Sequence, residues 1–253
     1  MKRLSVIIPA YDEEAYIGRL LDEILAVDLA PCGFEKEILV VNDGSRDRTA
    51  DIVASYEGRG VRRLDQIPNQ GKGRAVNRGV QESTGDYILV QDADLEYDPK
   101  DYPALLRALE RGDCVYGSRI LGQLWQKPFS LTPGRHPQQG VGPWLAGVAL
   151  TLWTALLYGR WITDTLTAYK LYPAPALKAM RLRTAGFETD HEITARLVRA
   201  GYSIVETPIA YRPRSVAEGK KIRARDGLIA IWTLLGCRFS NPPRVDGVAE
   251  TAS

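Results

Sequence analysis

Asp92 and Asp94 lie two residues apart, with Glu96 at the next alternate position, and this spacing is the strongest chemical signal in the chain. An Asp-x-Asp pair in a turn can direct both carboxylates at one cation, and such hard oxygen donors suit Mg2+ or Mn2+. A divalent ion held there would bridge the phosphates of a nucleoside diphosphate and neutralise charge growing on the leaving group. Short acidic turns are also commonly just solvated, so the pair alone leaves both readings open. Asp43, within Val40 to Ser45, could accept hydrogen bonds from a base or ribose, as acids at strand ends do. An Asx turn or a helix cap would use the same residues equally well. Gln70, Gly71, Lys72 and Gly73 place a glycine-flanked lysine where a helix begins, a setting in which backbone amides and an ammonium suit a diphosphate. The glycine spacing is not that of a P-loop.

A second set of polar residues lies downstream. Asp190 and Glu192 are carboxylates able to serve as a general base toward a hydroxyl acceptor, whereas a phosphate acceptor is already an anionic nucleophile and needs none. The same acids would also stabilise the first turn of a helix. His191 has no partner histidine at ligand spacing and reads as a surface residue. Arg212, Arg214, Lys220, Lys221, Arg223 and Arg225 precede an apolar amphipathic stretch over 226–239. A basic segment leading into such a helix is a pattern for docking on an anionic membrane surface, and also for a basic loop capping a core helix.

These residues need elements to hold them. Residues 4–10 and 37–41 read as buried strands, 61–67 as a third and 86–91 as a fourth running into Asp92. Helical patterns fall between them: one opened by Asp12, Glu13 and Glu14 with Ile17, Leu20, Leu21, Ile24 and Leu25 on one face, one over 47–56 with Asp47 as cap, and one over 71–83. Alternation of this kind predicts an α/β fold, a Rossmann-like, doubly wound and mainly parallel sheet with helices on both faces. Ligands on such sheets bind beyond the carboxyl ends of the strands, where the clusters 11–14, 42–45 and 92–96 all fall. Residues 122–142 are rich in Gly, Pro and Gln and predict a mobile loop of the lid or binding type. Helices are expected over 144–158, 174–180 and 189–200, a strand over 203–211, and a disordered tail over 241–253.

The chain has 253 residues, with 33 basic and 31 acidic side chains and a formal charge of +2, too near neutral for nucleic acid to be the main partner. Cys32, Cys114 and Cys237 fit no metal-ligand spacing and read as reduced thiols of a cytoplasmic protein. No signal peptide precedes the first strand. The uncharged run 141–158 only reaches the length of a membrane span, and its Gly and Thr content favours a buried or interfacial helix. Nothing in the sequence bears on oligomeric state.

The motifs Val6 to Glu14, Val40 to Ser45, Asn69 to Gly73, Gln91 to Glu96 and Tyr116 to Arg119 come in the order and spacing of the family 2 glycosyltransferases. The chain resembles in particular the dolichol-phosphate mannose synthase branch and its bacterial polyprenyl-phosphate relatives, over about residues 4–235. The resemblance implies a GT-A fold in one domain, 1–240, with a nucleotide-sugar half over 1–121, an acceptor loop over 122–142 and an acceptor half with interfacial helices over 143–240. It implies a UDP- or GDP-sugar donor, a divalent cation and inversion at the anomeric carbon. By position Pro9, Tyr11, Glu13 and Asp43 would line the nucleoside pocket with Lys72 and Asp92, and Asp92, Asp94 and Glu96 would hold the metal. Glu96 stands where the synthases often carry Gln, and Asn42 where the family commonly has Asp. Arg119 resembles the arginine that faces the reacting phosphates, Arg212 and Lys220 would contact an acceptor phosphate, and Thr163 to Thr165 with Tyr169 and Lys170 resemble the segment before the second half of the acceptor site. Asp94, Arg119 and Asp190 are thus the expected catalytic residues. The expected reaction is sugar transfer to a polyprenyl phosphate or related lipid carrier at the cytosolic membrane face. Transfer to a hydroxyl with Asp190 as base, a nucleotidyltransferase, and a non-catalytic nucleotide-sugar binding module are the alternatives.

Overall fold

Alternating apolar residues on both sides of a strand bury it on two faces, and that is how the central strands are built. The structure, a computed structural model, describes residues 1–126, 141–180, 182–213 and 224–240. Its strands are β1 (Lys2–Ala10), β2 (Phe34–Asn42), β3 (Val61–Asp65), β4 (Tyr87–Val90), β5 (Cys114–Ser118), β6 (Lys170–Pro173) and β7 (Ile204–Pro208). They form a seven-stranded sheet in the order β3-β2-β1-β4-β6-β5-β7. β1 pairs in parallel with β2 and β4, and β2 with β3. β6 alone is antiparallel, between β4 and β5, with Lys170 opposite both Val90 and Tyr116. This reversal brings the segment entering β6 to the same sheet edge as the carboxyl ends of the parallel strands, so 163–169 meets 91–96 there.

The two cores follow from the alternation. Val6, Ile8, Val40, Leu89 and Val115 face Ile17, Leu20, Leu21 and Ile24 of α1 (Ile17–Ala26) and Leu105 and Leu106 of α4 (Tyr102–Ala108). Ile7, Leu39, Val41, Ile88 and Tyr116 face the opposite side, against Val76 and Val80 of α3 (Lys72–Glu82), Leu177 of α7 (Ala174–Ala179) and Ile193 and Leu197 of α8 (Thr189–Arg199). Each such fully buried aliphatic side chain contributes about 1.5–3 kcal/mol. The remaining helices are α2 (Thr49–Ala54), α5 (Arg119–Gln126), α6 (Val141–Tyr158) and α9 (Ala224–Phe239). Helices α6 and α9 pack on α8 through Leu150, Ala195, Ala230 and Leu234.

Several expectations change. Residues 119–126 are helical, because Ser118 Oγ receives the Leu121 N–H at 3.1 Å and starts the turn; 127–140 lie outside the described residues, as do the tail 241–253 and most of the basic run, 214–223, with Lys220. Helix α1 begins at Ile17 with no acid in its first turn. Asp12 instead takes φ 51° and ties the loop after β1 to the loop after β2, donating its N–H to Ser45 Oγ (3.1 Å) and accepting from Arg46 N (2.7 Å). Helix α9 is apolar on two sides, burying Ala230 and Leu234 while exposing Leu228, Ile229 and Trp232. Among the described residues no helix is long and apolar enough to cross a membrane. All three cysteines are free thiols.

One lysine stands in for a helix cap. The last carbonyls of a helix have no partner within it. Lys36 Nζ, reaching across from β2, donates to Ile24 O (2.8 Å), Leu25 O (3.0 Å) and Val27 O at the end of α1. Lys36→Met is expected to lower unfolding free energy by about 1–3 kcal/mol, because it removes a donor from all three carbonyls, although Ile24 O keeps the Val27 N–H at 3.3 Å. An unchanged urea midpoint would show that the ammonium adds nothing there.

Candidate active site at the carboxyl edge of the sheet

The turn carrying Asp92 is fixed from below by a buried glutamine. Gln91 Oε1 accepts from Tyr102 (2.8 Å) and Tyr169 (2.6 Å), and its Nε2 donates to Asp92 O at 2.9 Å. With its peptide thus held, Asp92 projects its carboxylate to Lys72 Nζ at 2.7 Å, and Asp190 Oδ2 meets the same ammonium at 4.0 Å. The ring of Phe187 lies 5.5 Å from Lys72 Nζ. Burial disfavours the ammonium, but Asp92 and Asp190 outweigh it and raise the Lys72 pKa above its ordinary value. Lys72 is therefore a fixed cation at neutral pH and not a base. Three residues far apart in sequence, Lys72, Asp92 and Asp190, form one ionic group.

The start of α3 is set by Asp43. Its Oδ1 accepts from Gln66 Nε2 (2.6 Å) and Gln70 N (2.8 Å), its Oδ2 from Gly71 N (2.8 Å), and its carbonyl from Asn69 Nδ2 (2.9 Å). That geometry is the turn-and-cap arrangement, and it fixes the loop that carries Lys72. Gly71 and Gly73 are required by a close approach from the second half of the chain. A Cβ on Gly71 would come within 2.7 Å of Ala185 O, and one on Gly73 within 2.1 Å of Thr189 Oγ1. Pro9 and Tyr11 are half-buried and Glu13 is buried at the neighbouring strand end, where the Glu13 N–H donates to Thr49 Oγ1 at 2.8 Å.

Asp94 and Glu96 flank Leu95, whose φ of 56° turns the chain between them. Asp94 Oδ1 accepts the Glu96 N–H at 3.2 Å. Glu96 Oε2 accepts from Tyr211 OH at 3.0 Å, and Glu96 O from Arg212 N at 2.9 Å. The expected triad of Asp92, Asp94 and Glu96 is not drawn together as one ligand set. Among the described residues, no three Asp, Glu, His or Cys side chains gather where they could share a metal. The physical reason is that Asp92 turns to Lys72 and Glu96 to Tyr211. What remains is a pair of hard oxygen donors at the open strand end. Asp92 already balances a cation, the Lys72 ammonium, and this fits a Mg2+-type site in which one or two carboxylates share the ion with substrate phosphates.

Arg119 stands across the edge, at the end of β5. Its Nε and Nη2 donate to the two oxygens of Asp164 at 2.7 Å each, and its backbone N–H adds a third bond at 3.0 Å. The guanidinium also packs 4.9 Å from the centre of the Tyr211 ring. Burial disfavours the Asp164 carboxylate, yet Arg119 holds its pKa below the ordinary value. Glu206 of β7 supports this turn, accepting from Thr163 N (2.8 Å), Thr163 Oγ1 (2.7 Å) and Asp164 N (3.1 Å). Arg119, Trp144, Gly147, Val148, Thr165 and Leu166 are among the residues lining a pocket between α6 and this turn. Arg212 is exposed and pairs with Asp98 at 3.6 Å, outside that lining.

Comparison with known proteins now decides the family. The model of Glycosyl transferase family 2 matches residues 5–135, which include the Asp43, Lys72, Asp92 and Arg119 motifs. The chain belongs to glycosyl transferase family 2. Among its relatives, a dolichol-phosphate mannosyltransferase of Pyrococcus furiosus is 31% identical over 226 residues, covering 86% of this chain but 59% of its own length. An undecaprenyl-phosphate mannosyltransferase of Micrococcus luteus is 29% identical over 235 residues, covering 86% of this chain and 87% of its own. The chain thus spans less than two thirds of the first relative. In structure it is similar to glucosyl-3-phosphoglycerate synthase of Mycobacterium tuberculosis, solved with Mn2+, UDP and phosphoglyceric acid, at a TM-score of 0.66 and 22% identity over 94% of this chain and 79% of that one. That likeness shows the fold, the GT-A arrangement.

Within this family 2 chain, sequence reasoning located Lys72, Asp92 and Asp190 but missed what holds them. Glu206 carries no motif, and Gln91, although it opens the Gln91 to Glu96 motif, has no chemistry there that its residue type announces. Glu192, weighed as a base beside Asp190, is a structural anchor: at 1% exposure it accepts from Arg183 N, Thr184 N, Thr184 Oγ1 and Arg196 Nε. His191 is not on the surface. It is 4% exposed, and burial pulls its pKa down to about 3, with Lys170 adding to the effect. Lys170 is fully buried and donates to Thr165 O at 3.1 Å, so it supports the turn next to Asp164.

Proposed function

We propose that the chain transfers a sugar from a UDP- or GDP-sugar to a polyprenyl phosphate or related lipid phosphate, with inversion, at the cytosolic face of a membrane. The observation that carries this reading is the pocket in which the Arg119–Asp164 pair meets apolar side chains of α6. Guanidinium is suited to phosphate, and α6 leaves Leu145, Leu152 and Leu156 exposed while α9, which packs against it, leaves Trp232 and Phe239 exposed. An anionic head and an isoprenoid tail match that pairing of surfaces. The names of the Pyrococcus and Micrococcus relatives, both acting on lipid phosphates, support the same class of acceptor.

On the donor side, Asp92 and Asp94 would hold Mg2+ or Mn2+, with Glu96 bracing their turn through Tyr211. When bound, the ion would neutralise charge on the leaving diphosphate. Lys72 supplies a second, built-in cation for the same phosphates, and Asp43 fixes the loop from which it reaches. Pro9, Tyr11 and Glu13 border the nucleoside. An oxygen of the acceptor phosphate attacks the anomeric carbon, the bond from that carbon to the diphosphate breaks, and the nucleoside diphosphate leaves with the electron pair. No proton has to be removed from such a nucleophile, so Asp190 acts by holding Lys72 and not as a base.

The test is turnover of a panel of UDP- and GDP-sugars with Mg2+ or Mn2+, with polyprenyl phosphate supplied in anionic vesicles that are also used to sediment the protein. Lipid-dependent release of nucleoside diphosphate is expected. Asp190→Asn should keep activity within about tenfold, since an amide can still face Lys72. A loss of about a thousandfold, with turnover of a hydroxyl acceptor by the wild type, would instead establish Asp190 as a general base.

A further inference from the structure

Residues 182–188 cross from the second half of the chain onto the loop that carries Lys72, and they are tied down at both ends. At one end the Glu192 carboxylate accepts from Arg183 N (3.0 Å), Thr184 N (2.9 Å) and Thr184 Oγ1 (2.7 Å). At the other, Glu188 Oε1 accepts from Gly186 N at 3.1 Å. Between these anchors, Ala185 O receives the Gly73 N–H at 2.7 Å, and Phe187 places its ring beside the Lys72 ammonium. The contact leaves no room for any side chain at Gly71 or Gly73. Glu192 lies on α8 two residues after Asp190, and Arg196, one turn on, braces its carboxylate at 2.7 Å.

We infer that Glu192 is a positioning residue for the donor site, acting through the 182–188 strap to set Lys72 between Asp92 and Asp190. The carboxylate is 1% exposed and surrounded by donors, so it meets no substrate. A buried carboxylate that serves only stability needs a partner such as Arg196. Glu192 spends its other bonds on the backbone and hydroxyl of the strap, and the strap's next carbonyl caps the first turn of α3 at Gly73. The chain of contacts therefore runs from Glu192 through Thr184 and Ala185 to Gly73 and Lys72. The inference rests on the proposed role of Lys72 in holding the donor diphosphate.

The experiment is a double-mutant cycle on UDP or GDP binding in Mg2+, read by calorimetry on the full chain, with Glu192→Gln and Lys72→Met. Each single change is expected to weaken binding about tenfold, and the pair no more than Lys72→Met alone. Losses that multiply, or a Glu192→Gln protein binding as the wild type does, would overturn the inference. Thr184→Val, which removes one donor to Glu192 and keeps side-chain shape, guards against misfolding and should give a smaller loss of the same kind. Amine acetylation read by mass spectrometry gives an independent answer. Lys72 should be protected in the wild type and modified several-fold faster in Glu192→Gln, with Lys2 and Lys100 as exposed standards. If the wild type binds neither nucleotide, the donor role of Lys72 fails, while the acetylation rate still decides whether Glu192 positions it.

Discussion

Asp92→Asn is expected to lower kcat/KM for the nucleotide sugar by about a thousandfold, or about 4 kcal/mol of transition-state stabilisation. The size follows from what one carboxylate does. Asp92 balances Lys72 at 2.7 Å and forms, with Asp94, a pair of hard-oxygen donors at the open end of β4. The amide keeps the shape and still accepts one hydrogen bond, but it removes the negative charge that favours a divalent ion and orients the ammonium. Both cations facing the diphosphate are weakened at once. The fold should persist, because the side chain is 23% exposed and the turn is held through the Asp92 carbonyl and Gln91. Steady-state rates at increasing Mn2+ provide the check: the variant should recover part of its activity as the ion is raised. A variant within threefold of wild type at low metal would remove Asp92 from the donor site.

How far the site was legible depended on the element that carried each residue. Asp43 and Asp92 each follow a strand whose apolar pattern ends abruptly, so the parallel-sheet rule places them at one edge, whereas Lys72 is read only as a glycine-flanked lysine opening a helix. Asp190 was visible as an acid at the start of a helix, but its meeting with Lys72 was not, because that contact depends on the antiparallel β6 and on the strap before α8. Strand β6 escaped notice since Lys170 to Pro173 is short and interrupts no alternation, and a single buried lysine within it argues against a strand core. Glu192 and Asp190 look alike in sequence. Only burial separates them, with 2% of the Glu192 side chain exposed against 22% of the Asp190 side chain. Asp12 to Glu14 misled for a related reason: acids favour a helix start, but the same side chains and amides are consumed by Ser45, Arg46, Asp47 and Arg48 of the neighbouring loop.

Arg119→Met should destabilise the protein by about 3–5 kcal/mol at neutral pH, the range for removing one partner of a buried ion pair. Asp164 is 4% exposed and would be left charged with its forked partner gone, beside Glu206, whose own pKa burial raises. The pH dependence has a definite sign. In the wild type, burial pushes the Asp164 pKa up but Arg119 holds it below its ordinary value, so the pair stabilises the fold above the unfolded pKa of about 3.9 and loses that contribution as pH falls through the lower folded value. In the variant burial is opposed by the residue 119 backbone N–H and the charge of Lys170 without the guanidinium, so the folded pKa rises, and protonation relieves the poorly paired charge as pH drops. The gap between wild type and variant must therefore be widest near pH 7 and narrow toward about pH 4.5. Urea unfolding at both values measures it, and a gap that is constant with pH, or below about 1 kcal/mol, would show that Asp164 does not depend on Arg119 for its charge. Adding Asp164→Asn to the variant should restore part of the loss, because the buried charge is then absent, while leaving acceptor turnover impaired. Stability and acceptor use would thus separate, the first following the charge on Asp164 and the second the guanidinium of Arg119.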